Sequence, residues 1–187
     1  MRTFIAIELS DGIRDTLAQM QSHLKYAGAD VKWVDKGNIH LTLKFLGEID
    51  ENKCEKVKAS LDEIAKGFKR FEIDLKGLGA FPSLDFPRVI WCGLDKGAKE
   101  SVELAERIGE AMSKLAFKDE ARPFTAHLTI GRVRSSKNKS ALREKIEKLI
   151  REPSAVSCQP INSIALFQST LTPTGPIYTK LHEARLC

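Results

Sequence analysis

The chain has 187 residues, 42% of them hydrophobic, enough for one substantial core or two small lobes sharing one, and too apolar for a disordered chain. Its 30 basic residues exceed its 25 acidic ones by little, and the formal net charge of +5 allows a polyanionic partner without requiring one. Cys54, Cys92, Cys158 and Cys187 form no C-x-x-C pair, so neither a structural zinc site, a dithiol redox motif nor a disulfide framework is indicated. No stretch approaches the roughly 18 apolar residues of a membrane span, and the apolar run near Met1 is too short for a signal peptide; a cytoplasmic protein is expected.

In chain order, the apolar run Thr3 to Leu9 predicts a buried strand, and Ile13, Leu17, Met20 and Leu24 recur at helical spacing after a cap at Ser10 or Asp11. A strand over Ile39 to Leu46 follows, then a helix carrying Val57, Leu61 and Ile64, then a strand around Phe71 to Leu78. The same succession then repeats. A strand over Arg88 to Leu94 precedes a helix with Val102, Leu104, Ala105, Ile108 and Met112. A strand over Phe124 to Val133, a helix with Leu142, Ile146, Leu149 and Ile150, a strand over Val156 to Phe167 and an extra strand over Ile177 to Leu186 complete the chain.

The repetition is also one of residues. HLTLKFLG at 40 to 47 returns as HLTIGRV at 127 to 133, and offsets of about 85 to 87 align Leu9 with Leu94, Gly12 with Gly97, Phe81 with Phe167 and Ser83 with Ser169. A unit of about 85 residues is too long for a solenoid repeat and long enough for one lobe. The expectation is one α+β domain over 1–187, duplicated as roughly 1–85 and 86–187. It should have two pseudo-symmetric lobes, each an antiparallel-type sheet with two outer helices, with the sheets facing one another across a central cleft.

Strand alternation puts His40, Thr42 and Lys44 on one face and Leu41, Leu43 and Phe45 on the other; likewise His127, Thr129 and Gly131 oppose Leu128, Ile130 and Arg132. If the polar faces meet across the cleft, two imidazoles flank one point. That suits displacement at phosphorus: one histidine serves as base and the other as acid near neutrality, while Thr42 and Thr129 hold the non-bridging oxygens. The rivals are weaker. A lone H-x-T is usually a hydrogen-bonded strand residue, and zinc would need a third ligand that neither motif supplies. A serine triad would need an elbow of the G-x-S-x-G kind, which the sequence lacks. His23 and His182 have no matching context and are read as surface residues.

The two motifs resemble the paired H-x-T-x motifs of the two-histidine phosphoesterases, and the whole chain resembles their RNA 2′,3′-cyclic phosphodiesterase branch, also called 2′-5′ RNA ligases. The opening MRTFIAIEL, KFLGE after the first motif, RPF before the second, GR after it, and the tail residues Ser169, Leu171, Gly175 and Tyr178 carry the resemblance. Ala126 stands where many members have proline. The resemblance implies hydrolysis of a terminal 2′,3′-cyclic phosphate to a 2′-phosphomonoester, with His40 the proton donor to the leaving 3′ oxygen and His127 the acceptor that activates water. It implies no metal and no other cofactor, and an RNA partner, tRNA fragments included, acted on by a monomer. It also implies a reverse 2′-5′ ligation.

Around this pair, Arg132 reaches the phosphate only if its strand bends or ends, and Lys44 counts onto the histidine face. The basic segment RVRSSKNK at 132–139 suits backbone phosphates or a loop before a helix. Trp33, Phe45 and Phe81 are candidates to stack on a base, with core packing the expected fate of Phe45. A phosphoesterase acting on a small cyclic nucleotide or an RNA 3′ end, and a non-catalytic RNA- or nucleotide-binding module, remain as alternatives.

Overall fold

The structure is a computed structural model that describes residues 1–152 and 157–187. The elements run β1 (Arg2–Ile7), α1 (Asp11–Lys25), β2 (Val31–Trp33), a 3-10 turn (Lys36–Asn38), β3 (Leu41–Glu48), α2 (Glu51–Lys66), β4 (Phe71–Pro82), β5 (Pro87–Leu94), α3 (Ala98–Lys114), β6 (His127–Val133), α4 (Lys139–Arg151), β7 (Cys158–Ile161), β8 (Ser163–Thr172) and β9 (Gly175–Arg185). Local chemistry sets the helix starts. The Ser10 hydroxyl accepts from the Ile13 N–H at 3.4 Å and the Asp50 carboxylate from the Lys53 N–H at 2.7 Å, each satisfying a first-turn donor that has no helical partner. α3 instead begins after Gly97 at φ +78°, where a Cβ would lie 2.3 Å from the Glu72 carbonyl oxygen, so only glycine fits.

Every strand pair is antiparallel. One sheet has the order β3-β1-β8-β9 and the other β2-β6-β5-β4-β7. The α+β class, antiparallel sheets and outer helices are as the sequence predicts. The partition between lobes is different. β4, from the first half, lies in the sheet of β5 and β6, and β8 and β9, from the second, lie beside β1. Helices are exchanged too: α2 and α3 pack on the first sheet, α1 and α4 on the second. The crossing strand gives β1 and β5 each a partner on both edges, so neither central strand leaves a row of unpaired backbone groups.

Register runs in parallel through the two sheets. Ala6 on β1 lies between Thr42 and Ala165, and Trp91 on β5 lies between Thr129 and Gly79. The strand expected from Val156 is split: β7 joins β4, and β8 starts at Ser163 to join β1, while Val156 itself lies outside the described residues. β2, too short for periodicity to reveal, borders β6.

The helix-facing sides of the sheets form the core. Ile5, Ile7 and Leu41 with Leu61, and Ile90, Leu128 and Ile130 with Ile13, Leu17 and Ile146, are almost fully buried. Each such side chain contributes about 1.5–3 kcal/mol. The strands that carry the histidines, β3 and β6, approach each other where the two sheets meet. Among the described residues no helix is long and apolar enough to cross a membrane.

Candidate active site

The two histidines are held in the same way. His40 Nδ1 lies 2.8 Å from the Asn38 carbonyl oxygen and His127 Nδ1 lies 2.7 Å from that of Thr125, in each case two residues upstream. A carbonyl only accepts, so Nδ1 carries hydrogen in both rings and Nε2 is left to give or take a proton. His127 opens β6, opposite Gly93, and His40 immediately precedes β3.

Aromatic rings complete each wall. Phe4 stacks on His40 with centroids 4.7 Å apart, and the Tyr178 ring meets it edge-on at 5.2 Å. Around His127, Phe81 stands edge-on at 5.1 Å and Trp91 at 6.4 Å. Burial pushes the His40 imidazole down to about 4; the Asn38 carbonyl opposes that shift and the Arg14 charge adds to it. His40 is therefore neutral in the free protein at pH 7.

Simple alternation fails along both histidine strands, at corresponding places. On β3 the partners step from Ala6↔Thr42 to Ile5↔Lys44, leaving Leu43 extra; on β6 they step from Trp91↔Thr129 to Ile90↔Gly131, leaving Ile130 extra. Each step is a β-bulge, which turns the following side chains to the other face. Thr42 and Thr129 precede the bulges and stay on the histidine side, beside Ala6 and Trp91. Lys44 does not: it pairs with core-facing Ile5, is 4% exposed, and its Nζ donates to the Lys118 carbonyl at 3.3 Å. Phe45 turns out opposite Phe4, 61% exposed, with centroids 6.1 Å apart, rather than into the core.

The bulge on β6 has the opposite benefit, because it brings Arg132 opposite Val89, on the face that carries Trp91 and Thr129. Its charge is felt across the cleft: burial raises the Tyr178 hydroxyl, and Arg132 and Arg2 pull it back down. Trp33 goes elsewhere. It pairs with Gly131, where a Cβ would come within 3.0 Å of its ring, and packs against the core. Phe81, of the three stacking candidates, is the one beside a catalytic candidate.

Of the basic segment 132–139, Arg132 and Val133 end β6, and residues 134–138 turn into α4 at Lys139. Lys139 sits 4.4 Å over the Phe86 ring and Asn138 donates to the Gly28 carbonyl at 3.0 Å, away from the histidines. His182 is half-buried rather than a free surface residue, with Nε2 2.7 Å from an Asp62 carboxylate oxygen. Cys54 and Cys92 are buried thiols, Cys92 pushed up to about 12 by burial. Among the described residues no three His, Cys, Asp or Glu side chains converge as metal ligands.

Sequence reasoning passed over Phe4, Trp91 and Tyr178. Phe4 and Trp91 sit in apolar runs that read as core, but alternation with Ile5 and with Ile90 and Cys92 puts them on the other face. Tyr178 was visible only as part of the tail pattern.

The sequence model of one family, the LigT-like phosphoesterases, matches residues 7–91 and again residues 94–178. The RNA 2′,3′-cyclic phosphodiesterase of Methanothermobacter thermautotrophicus is 36% identical over 186 residues, spanning 100% of this chain and 99% of that one. That of Methanocaldococcus jannaschii is 40% identical over 183 residues, spanning 98% and 99%. The solved structure of a Thermus thermophilus protein superposes with a TM-score of 0.82 at 28% identity, covering 100% of this chain and 98% of that one. E. coli LigT complexed with 3′-AMP shares the fold, with a TM-score of 0.77 at 22% identity over 99% of this chain and 97% of that one. With both halves matched and relatives aligned end to end, the chain belongs to the LigT-like phosphoesterase family.

Proposed function

We propose that the protein is an RNA 2′,3′-cyclic phosphodiesterase that opens the terminal cyclic phosphate to a 2′-phosphomonoester, using His40 and His127 as an acid/base pair. The observation that carries this reading is the matched pair of imidazoles, each fixed through Nδ1 by a carbonyl two residues upstream and each with Nε2 free for proton transfer. Full-length relatives at 36% and 40% identity that bear this activity in their names support it.

In the proposed reaction, water attacks phosphorus in line with the 3′ oxygen, His127 Nε2 takes the proton of the attacking water, the P–O3′ bond breaks, and His40 Nε2 protonates the departing oxygen. Thr42, Thr129 and Arg132 hold the non-bridging oxygens as charge builds on them. As donor, His40 must gain a proton that burial denies it in the free protein. The anionic phosphate supplies the reason, since an opposite charge against the ring favours imidazolium. The bases of an RNA end, tRNA fragments among them, would lie against the aromatic walls, with Phe81 on one side. With a 5′-hydroxyl in place of water, the same groups in the same roles would form a 2′-5′ linkage, and they would exchange roles only when that linkage is cleaved back to the cyclic phosphate. The recurrence of one register in both sheets supports descent from a duplicated unit, 1–85 and 86–187, within a single domain.

The test is to incubate the protein with EDTA and an RNA ending in a 2′,3′-cyclic phosphate and to identify the product. A 2′-phosphate is expected. A 3′-phosphate would overturn the regiochemistry, and binding without turnover would leave a nucleotide-binding module. His40→Ala and His127→Ala should each lower turnover of this RNA by about 10²–10⁴-fold in folded protein; near-full activity in either would sink the acid/base pair.

A further inference from the structure

α1 packs against β6 and the turn before β3, and one of its partly buried side chains, Arg14, makes no side-chain hydrogen bond or ion pair among the described residues. Arg14, Ala18 and Gln21, spaced i, i+4, i+7, share a helix face. Gln21 shows where that face points: its Nε2 donates to the carbonyls of Val34 and Ile130, both at 2.8 Å, and so ties α1 to the chain leaving β2 and to the second histidine strand. Nearer the helix start, Asp15 pairs with Lys36 of the 3-10 turn. Moving along α1 toward its N-terminus therefore means moving along the incoming chain toward Asn38 and His40. Because β2 and its continuation run antiparallel to β6, with the Val34 N–H on the Ile130 carbonyl at 3.0 Å, it also means moving from Ile130 toward His127. Seven residues of helix cover about 10 Å, which is about three residues of strand. Arg14 thus lies between the starts of the two histidine strands.

At that place it has no hydrogen-bond or ion-pair partner among the described residues. Its Nε is buried without a hydrogen-bond acceptor, and among the described residues its guanidinium makes no ion pair; the adjacent carboxylate, Asp15, is committed to Lys36. A buried guanidinium N–H without an acceptor is costly, and a bound ligand is one way in which such a group is completed. We propose that Arg14 is a phosphate-binding residue of this cleft, held between the two histidine strands by α1 and left without an acid so that the substrate phosphate pairs with it. The planar guanidinium fork matches two oxygens of a phosphate, which a lysine in the same place would engage only as a point charge. The arrangement also couples binding to proton supply. While the cleft is empty, the Arg14 charge helps hold the His40 imidazole neutral, and a phosphate that neutralises Arg14 relieves that opposition.

This inference rests on the reading of the cleft as a phosphoesterase site, and its test separates the two. Inorganic phosphate is titrated calorimetrically into the full chain, into Arg14→Gln and into Arg14→Lys, with urea unfolding of each in phosphate-free buffer and turnover of the cyclic-phosphate RNA. Arg14→Gln should weaken phosphate binding about tenfold or more and raise KM, with unfolding unchanged or shifted toward greater stability. Arg14→Lys should recover part of the affinity. Unaltered phosphate affinity in Arg14→Gln, or no phosphate uptake by the unaltered protein, would overturn the assignment. So would a loss of affinity that comes with a matching loss of stability and is not relieved by lysine, since that is a structural role. Phosphate binding is read without turnover, so an Arg14-dependent affinity in a protein that leaves the RNA uncut supports Arg14 and rejects only the proposed reaction.

Discussion

The ring of Phe4 lies parallel to that of His40, 28° between planes and 4.7 Å between centroids, and it covers the imidazole from the side of β1. This contact is part of why His40 is held near 4. An unfolded chain protonates a histidine near pH 6.5, whereas the folded protein resists until about 4. Between those values the unfolded state binds more protons, so stability rises with pH across the window: it is complete above 6.5 and lost as pH falls toward 4. The contribution from this one group is about 3 kcal/mol. Phe4→Leu should admit water to the ring, raise the His40 midpoint seen by NMR, and shrink the stability difference between pH 7 and pH 4.5 in urea unfolding. An unmoved midpoint would mean that other burial, not Phe4, sets it.

Sequence symmetry assigns the donor role to neither histidine, and a bell-shaped rate profile fits either assignment. A substrate with sulfur in place of the bridging 3′ oxygen discriminates, because a thiolate leaves without being protonated. His40→Ala should be severely impaired on the oxygen substrate, by about 10²–10⁴-fold, and largely restored on the sulfur one. His127→Ala should be impaired on both. Restoration of His127→Ala instead would reverse the two roles.

Much of this site is legible in the sequence because periodicity is. His40, Thr42, His127 and Thr129 precede the bulges, so strict alternation finds their common face, and the doubled motif at an offset of about 87 residues finds the pairing. Beyond the bulge the same rule inverts the truth, sending Lys44 to the cleft and Arg132 away from it. Nothing in the residues Leu43 and Ile130 marks them as the extra ones, since a bulge is set by how two strands fit together. The exchange of β4 and β8 between sheets is invisible for the same reason: each reads as an ordinary strand, and its partner is decided by which edge it covers. Arg14 is hidden more deeply, since a single arginine on an amphipathic helix carries no signal until Gln21 shows what that face touches.

Arg132 tests whether the bulge on β6 is functional. If the bulge exists to aim this guanidinium over the cleft, Arg132→Gln should cut kcat/KM by about 10²-fold, as expected for a lost donor to developing phosphoryl charge. Stability should stay within about 0.5 kcal/mol because the side chain is exposed. Arg132→Lys should rescue poorly, since the flat two-pronged contact is lost. Full activity in Arg132→Gln, measured on the cyclic-phosphate RNA, would return the residue to the solvent.

Lys44 makes the complementary case. Its stem is buried beside Ile5 and its ammonium has one protein acceptor, the Lys118 carbonyl, with no carboxylate in reach among the described residues. Burying a cation on a single neutral acceptor costs several kcal/mol before packing offsets it. Lys44→Met keeps most of the stem volume and removes the charge, and the freed Lys118 carbonyl belongs to an exposed residue that water can serve. Unfolding stability should therefore be unchanged or higher by about 1 kcal/mol, and kcat and KM for the cyclic-phosphate RNA should match the unaltered protein. A selective rise in KM with stability intact would place the Lys44 ammonium on the substrate, and the face inversion read from the β3 register would then be wrong.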